Sequence, residues 1–391
     1  MNAERFMNNL KTIAGIGRND LNGIDRLAFS PYYYQALKEL EKYLKERDFQ
    51  TRVDAIGNLF VTYNPDNKDE FIMLGSHLDT VKNGGLYDGA LGVFAGLEAL
   101  ESIKEKGLKL NYGLILAVFN AEEGSEMGGT FGSRTICGRN DFSDKGFEER
   151  LKKYDLTLED IRACKINFDN IKAFIELHIE QGPTLYNESI DIGVVNGIVG
   201  ITRYDLKVFG ESNHAGTTMM KYRNDPIKKL PKIIKELFDL ADEYEDPFVM
   251  TIGDIKVVPG MYNVIPREAN LFIEVRDMSQ DNINKFFEKL GKFLSDEKFD
   301  YSLEKMIEKP SVKLDKNIMS LIEKSAQDLK LSYKEMSSGA GHDAKEISHL
   351  VPTGMIFVPS VDGISHSPKE YTKEEDLEKG VRLLIEFLKN I

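Results

Sequence analysis

The chain has 391 residues, of which 41% are hydrophobic and 29% charged. At roughly 100–200 residues per domain, that length implies two or three domains with a sizeable core, and the composition excludes a disordered chain. The formal net charge of −13 excludes binding to nucleic acid or an anionic membrane through a general basic field, because both need positive patches.

The N-terminal segment MNAERFMNNLKTIAGIG carries no long apolar run and no small-residue cleavage site. No signal peptide is expected, and the expected location is cytoplasmic. No stretch approaches the roughly 20 apolar residues that span a bilayer. The two cysteines, Cys137 and Cys164, form neither a disulfide framework nor a CxxC metal pair; they read as free thiols of a reducing compartment.

Tyr32–Asp48 places Tyr33, Leu37, Leu40 and Leu44 at helical spacing with charges between, which predicts an amphipathic helix. A strand-like segment, Thr51–Tyr63, follows and is interrupted at Gly57-Asn58. Phe71–Leu74 is a short apolar run ending in Gly75-Ser76-His77, and Ala90–Lys106 reads as a helix. Tyr112–Phe119, Phe174–Leu177 and Met355–Val358 are further continuous apolar runs. Such runs bounded by turn residues predict strands buried on both faces. Strands alternating with helices predict an α/β domain with a mainly parallel sheet.

The middle of the chain differs. Ile201–Val208 and Asn270–Val275 alternate with period two, and helices are predicted over Pro226–Tyr244 and Asn282–Leu294. Alternation implies a sheet buried on one face, so this stretch reads as a small α+β sandwich. Turn formers at Asn196–Gly200 and Lys309-Pro310 mark its limits. The predicted organisation is a catalytic domain of residues 1–198 and 310–391 with residues 199–309 inserted.

Ligands bind outside the carboxyl ends of parallel strands, and here those ends carry metal-ligand residue types. His77 and Asp79 follow the first apolar run, two residues apart; a carboxylate there can hold the imidazole in one tautomer. The plainer alternative is a satisfied core histidine. Asp88 follows the turn Asn83-Gly84-Gly85 and reads either as a helix cap or as a carboxylate shared by two metals. Glu122-Glu123 sits after a buried strand, where adjacent carboxylates repel each other and lose hydration, and a cation would compensate. Two solvated loop glutamates are the plainer reading. His178 and His366 complete the set. Single histidines are weak signals; three histidines with these acids at successive strand ends are hard to explain as capping alone.

The segments GSHLDTVKNGGLYDGALGVFAGLEAL, NAEEGSEMGGTFGSR, ELHIEQGPTL, NHAGTTMM, NVIP, EVRD, GAGHDA and ISHSP run in order from residue 75 to 368. In them the chain resembles the M20-type, aminoacylase/carboxypeptidase-like binuclear metallohydrolases. Its likeness is greatest to the hydantoinase/carbamoylase branch, which includes N-carbamoyl-L-amino acid hydrolases, β-ureidopropionases and allantoate amidohydrolases. The resemblance implies an aminopeptidase-like catalytic domain with an inserted lid and dimerisation domain. It implies two divalent ions, zinc or manganese with cobalt or nickel possible, held by His77, Asp88, Glu123, His178 and His366, with Asp88 bridging. Glu122 would be the general base and Asp79 the partner of His77. Gln181, His214, Asn263, Arg276, Gly341 and His342 would contact substrate. A homodimer through the inserted domain is also implied, with His214 acting in its own site or in the partner's.

Two positions depart from the family pattern. Glu126-Met127 stands where a basic-aromatic pair is usual, and Met219 where proline is usual. The expected reaction is hydrolysis of an N-carbamoyl amino acid, a small carboxylate-bearing substrate. Allantoate hydrolysis, a di- or aminopeptidase activity, and a non-catalytic binding protein on the same fold are the alternatives. His178 within HIEQG disfavours the peptidase, since related peptidases place a carboxylate there. The full ligand set disfavours a dead site.

Overall fold

A computed structural model describes residues 1–391. The strands in chain order are β1 (Gln50–Val53), β2 (Leu59–Tyr63), β3 (Phe71–His77), β4 (Gly113–Phe119), β5 (Ile171–Ile179) and β6 (Ile192–Ile198). They continue with β7 (Gly200–Phe209), β8 (Val249–Val258), β9 (Glu268–Asp277), β10 (Tyr301–Lys309), β11 (Val312–Lys313), β12 (Tyr333–Ser338) and β13 (Thr353–Val358). The chain divides into two compact units, Met1–Asn196 with Lys313–Ile391, and Gly197–Val312.

The first unit is built on a nine-stranded sheet ordered β1-β2-β4-β3-β5-β13-β6-β11, with β12 pairing β6. The central strands β4, β3, β5 and β13 run parallel; β2 is antiparallel to β4, and β6 to β13. The mainly parallel α/β prediction therefore holds for the strands that carry the proposed ligands. Their apolar runs are continuous because helices cover both faces. The helix Ala90–Lys106 is buried along most of its length, packed on Leu74, Leu116 and Leu177. It stops at Gly107, which adopts the left-handed conformation and bonds back to Ile103 O. The break at Gly57-Asn58 becomes the turn between β1 and β2, where Asp54 accepts the Ile56 and Asn58 N–H groups.

The second unit is a four-stranded antiparallel sheet ordered β10-β7-β9-β8 with two helices, Leu230–Ala241 and Gln280–Asp296, on one face. The alternating buried pattern of β9 is the one-faced sheet expected. The helix predicted over Pro226–Tyr244 is shorter than expected. Pro226–Lys228 is a 3₁₀ turn, and the α-helix runs only from Leu230 to Ala241. Pro231 is accommodated at its first turn, where no backbone N–H is needed. No helix is long and apolar enough to cross a membrane.

Candidate metal centre

Parallel strands present their carboxyl ends at one edge of a sheet, so residues distant in sequence meet there. His77 is the last residue of β3, His178 lies near the end of β5, and Glu122 and Glu123 follow β4. Asp88 stands at their centre and is 3% exposed. Its Oδ1 lies 3.2 Å from His178 Nε2 and 3.6 Å from His77 Nε2. Its Oδ2 lies 3.2 Å from His366 Nε2, which is also 3.2 Å from Glu123 Oε2. Two donor groups therefore share one carboxylate: His77, Asp88 and His178 on one side, and Asp88, Glu123 and His366 on the other. Asp88 is not a helix cap; the capping position is Gly89, and no side chain caps that end.

The imidazole tautomers are set by main-chain carbonyls. His77 Nδ1 donates to Asp79 O at 2.9 Å, and His178 Nδ1 to Ile179 O at 2.9 Å, so both Nε2 atoms face Asp88. The Asp79 carboxylate lies 3.8 Å from His77 Nδ1. It accepts the Glu122 N–H on Oδ1 and the Glu123 N–H on Oδ2, both at 3.1 Å. Asp79 thereby also pins the turn after β4, in which Ala121 has a left-handed φ of 61°.

The electrostatics follow from burial and charge. Burial pushes the Glu122 carboxyl well above the usual carboxylate range; Asp343, Glu123 and Asp79 push it further, against the pull of His77. Burial opposes ionisation of Asp88, but hydrogen bonds from His178, His366 and His77 hold it well below its ordinary value. Burial alone would lower His77, yet Asp88 and the surrounding acids raise it. His366 is pushed up to about 10 by Asp88 and then Glu123. Burial and the positive charge on His178 push His342 well below its ordinary range, so it is neutral. The imidazoles act here as counter-charges to buried carboxylates, a task a divalent cation performs better. Nitrogen and oxygen donors without thiolate suit Zn²⁺ and Mn²⁺, and the donor set fits such ions.

Gln181 donates Nε2–H to Asp88 Oδ2 at 2.9 Å, and its Oε1 is buried with no hydrogen-bond partner. His342 Nε2 is 2.8 Å from Ser338 Oγ, and a Cβ built on Gly341 would lie 3.9 Å from Glu122 Oε1. All three therefore belong to the first unit near Glu122 and Asp88. His214, Asn263 and Arg276 belong to the second unit. His214 is exposed, and its Nδ1 accepts the Gly216 N–H at 3.0 Å and the Thr217 N–H at 3.2 Å, which makes Nε2 the protonated, outward donor. Asn263 is exposed, its carbonyl accepting from Ala215 N. Arg276 is ion-paired with Glu274 at 2.7 Å.

Sequence reasoning missed several buried polar residues around this centre. Glu176 accepts from Ser76 Oγ at 2.8 Å and from Ala344 N at 2.9 Å. Asp343 is fully buried. Glu370, four residues beyond His366, bonds the backbone of Asp88. Glu176 and Asp343 stand inside segments that carry the family resemblance and Glu370 just beyond one, but an acid there reads equally well as a solvated charge.

The departures from the family pattern have local explanations at one of the two places. Glu126 pairs with Lys153 and Tyr154 on the surface, while Met127 packs into a small core with Phe131, Phe147 and Leu151. Met219 is 65% exposed, and nothing in the structure explains it.

A family model described as Peptidase family M20/M25/M40 matches residues 73–390. The allantoate amidohydrolase of Escherichia coli (strain K12) is 35% identical, aligned over 96% of this chain and 94% of that protein. An N-carbamoyl-L-amino-acid amidohydrolase of Pseudomonas sp. (strain NS671) is 32% identical over 98% of this chain and 97% of its own. The crystal structure of a hydantoinase/carbamoylase family amidase from Burkholderia ambifaria matches with a TM-score of 0.88 at 26% identity, covering 99% of this chain and 97% of that one. Family members use divalent metal ions, and the paired donor groups around Asp88 are where this chain would hold them. The chain belongs to peptidase family M20/M25/M40 and is a hydrolase of amide-type C–N bonds.

Proposed function

We propose that this protein hydrolyses the ureido C–N bond of an N-carbamoyl amino acid, giving the amino acid, ammonia and carbon dioxide. The observation that carries the reading is Asp88, with each carboxylate oxygen facing its own donor group. His77 and His178 would hold one divalent ion and Glu123 and His366 the other, with Asp88 shared; zinc or manganese is the proposed metal, with cobalt or nickel compatible. When bound, such ions lower the pKa of a water and polarise a carbonyl.

The protein's own groups do the rest. Glu122, buried and facing the centre, takes the proton of the attacking water and returns it to the leaving nitrogen. The orphaned Gln181 Oε1 is an acceptor suited to a ureido N–H. His342, neutral and fixed by Ser338, and the Gly341 backbone border the same space. From the inserted unit, His214 Nε2–H is suited to a developing oxyanion, Asn263 to a polar substrate atom, and Arg276 to the substrate carboxylate. That unit is also the proposed dimer contact. Its edge strand β8 pairs only with β9, and it exposes Val249 and Ile255.

Allantoate is a second substrate reading. It shares the ureido and carboxylate groups, and two allantoate amidohydrolases are 35% identical to this chain. The test is a panel of N-carbamoyl amino acids, allantoate and dipeptides with purified protein supplied with Mn²⁺ or Zn²⁺. Turnover of dipeptides alone would refute the proposal. Glu122→Gln is expected to bind both ions and lose about 10²–10⁴-fold in kcat; full turnover by that variant would remove Glu122 as the base.

A further inference from the structure

The two donor groups are held in different ways. His77 and His178 belong to β3 and β5, neighbouring parallel strands at the centre of the sheet, and each is 1% exposed. The sheet itself places them. His366 lies in irregular chain between β13 and the C-terminal helix Glu374–Asn390. Its side chain is 48% exposed and its φ is 54°, in the left-handed region that is uncommon for residues other than glycine, though histidine tolerates it better than most. Neither a strand ladder nor close packing fixes it.

Glu370 supplies the missing support. It is 6% exposed. Its Oε1 accepts the Tyr87 N–H at 2.8 Å and the Asp88 N–H at 3.1 Å. The Ser365 hydroxyl, with one proton to share, donates towards Asp88 Oδ2 at 2.8 Å, the oxygen that faces His366, and towards Glu370 Oε2 at 2.9 Å. The Glu370 N–H bonds Ser367 O at 3.0 Å, which closes the turn that directly follows His366. The fit is tight: a Cβ on Gly85 would lie 2.0 Å from Glu370 Oε1. One buried carboxylate thus joins the backbone that carries Asp88 to the loop that carries His366. A carboxylate this close to Asp88 repels it, and the two N–H donors and a cation beyond Asp88 offset that repulsion.

We propose that Glu370, through Ser365, is a positioning residue that holds the His366 loop on Asp88, so that the cation site of Asp88, Glu123 and His366 depends on it. The site of His77, Asp88 and His178 shares only Asp88 with this network and depends on it less. This rests on the two-cation reading above. Outer partners of metal ligands change affinity by about 10–100-fold when removed, and here the change falls mainly on one equivalent.

The test is calorimetric titration of metal-stripped, full-length protein with Mn²⁺, together with metal content after gel filtration. Glu370→Gln keeps the volume and one acceptor oxygen; Ser365→Ala breaks only the link to the loop. In both variants one equivalent is expected to weaken about 10–100-fold and the other clearly less. His366→Ala is the reference for loss of that equivalent. Two equivalents at wild-type affinity in both variants would overturn the proposal. So would equal weakening of both equivalents with a lowered metal-free unfolding midpoint, since that marks a general role in the fold. A wild-type protein that binds fewer than two equivalents would instead refute the two-cation reading itself.

Discussion

Asp79 offers a direct test of how Glu122 and Glu123 are held. Its carboxylate takes the Glu122 and Glu123 N–H groups, one on each oxygen, at 3.1 Å, beside the left-handed Ala121. Asp79→Asn keeps the shape but leaves one acceptor; the other backbone N–H then faces an amide NH₂. A hydrogen bond to a charged acceptor contributes about 1.5–3 kcal/mol, and a buried N–H left unpaired costs about 1–3 kcal/mol. The two overlap, so the local loss is about 2–4 kcal/mol. The effect on global stability is smaller, because burial already raises the Asp79 pKa and removing the charge relieves that cost. At about 1.4 kcal/mol per tenfold, protection of the Glu122 and Glu123 amides falls roughly 30-fold to nearly 1000-fold. Hydrogen exchange by mass spectrometry on the peptide spanning 120–124 of metal-free protein reads this directly, with β4 as an unchanged control. The same variant loses kcat more than KM. If kcat falls while protection stays within about twofold of wild type, Asp79 acts through His77 and the assignment of its hydrogen bonds to the glutamates is wrong.

Gly89→Ala places a methyl 2.3–2.4 Å from three atoms of the His77 ring, at a residue whose φ is 64°. The backbone strain alone is about 1–2 kcal/mol, so a lower denaturation midpoint and loss of the His77-side metal equivalent are expected; normal two-ion binding would contradict it. His366 is raised from 6.5 to about 10 in the folded, metal-free protein, by Asp88 first and Glu123 second. Its contribution to metal-free stability is therefore complete below about pH 6.5 and lost as pH rises through about 10. Near pH 8 the ring is protonated, so metal uptake must release at least one proton, and affinity should rise with pH. Calorimetry in two buffers of different ionisation enthalpy measures that release, and a net of zero protons would refute the pairing. For the proposed dimer, Val249→Lys with Ile255→Lys on the edge strand β8 should give a monomer by light scattering; a dimer that persists in that variant would move the contact elsewhere.

Why some of this was legible in sequence and some was not comes down to which atoms an acid or a histidine meets. The continuous apolar runs of β3, β4, β5 and β13 identify strands buried on both faces, and that burial forces a parallel core. A parallel core in turn collects His77, Glu122, Glu123 and His178 at one edge, so order along the chain is enough to forecast their meeting. His366 is different. It stands on irregular chain in a conformation that no periodicity signals, so from the residues alone it was a weak signal that the family resemblance strengthened. Asp79 and Glu370 are harder still. Each binds a pair of backbone N–H groups from chain 43 to 44 and 282 to 283 residues away in sequence. A backbone N–H has no residue type, so no motif can announce it as a partner. The strand β8 was missed for a related reason. Its faces are nearly all partly or fully exposed, so it lacks the apolar alternation that marks β9. An edge strand exposed on its outer face and open along one side presents unpaired backbone and apolar surface, the combination that a second subunit would cover.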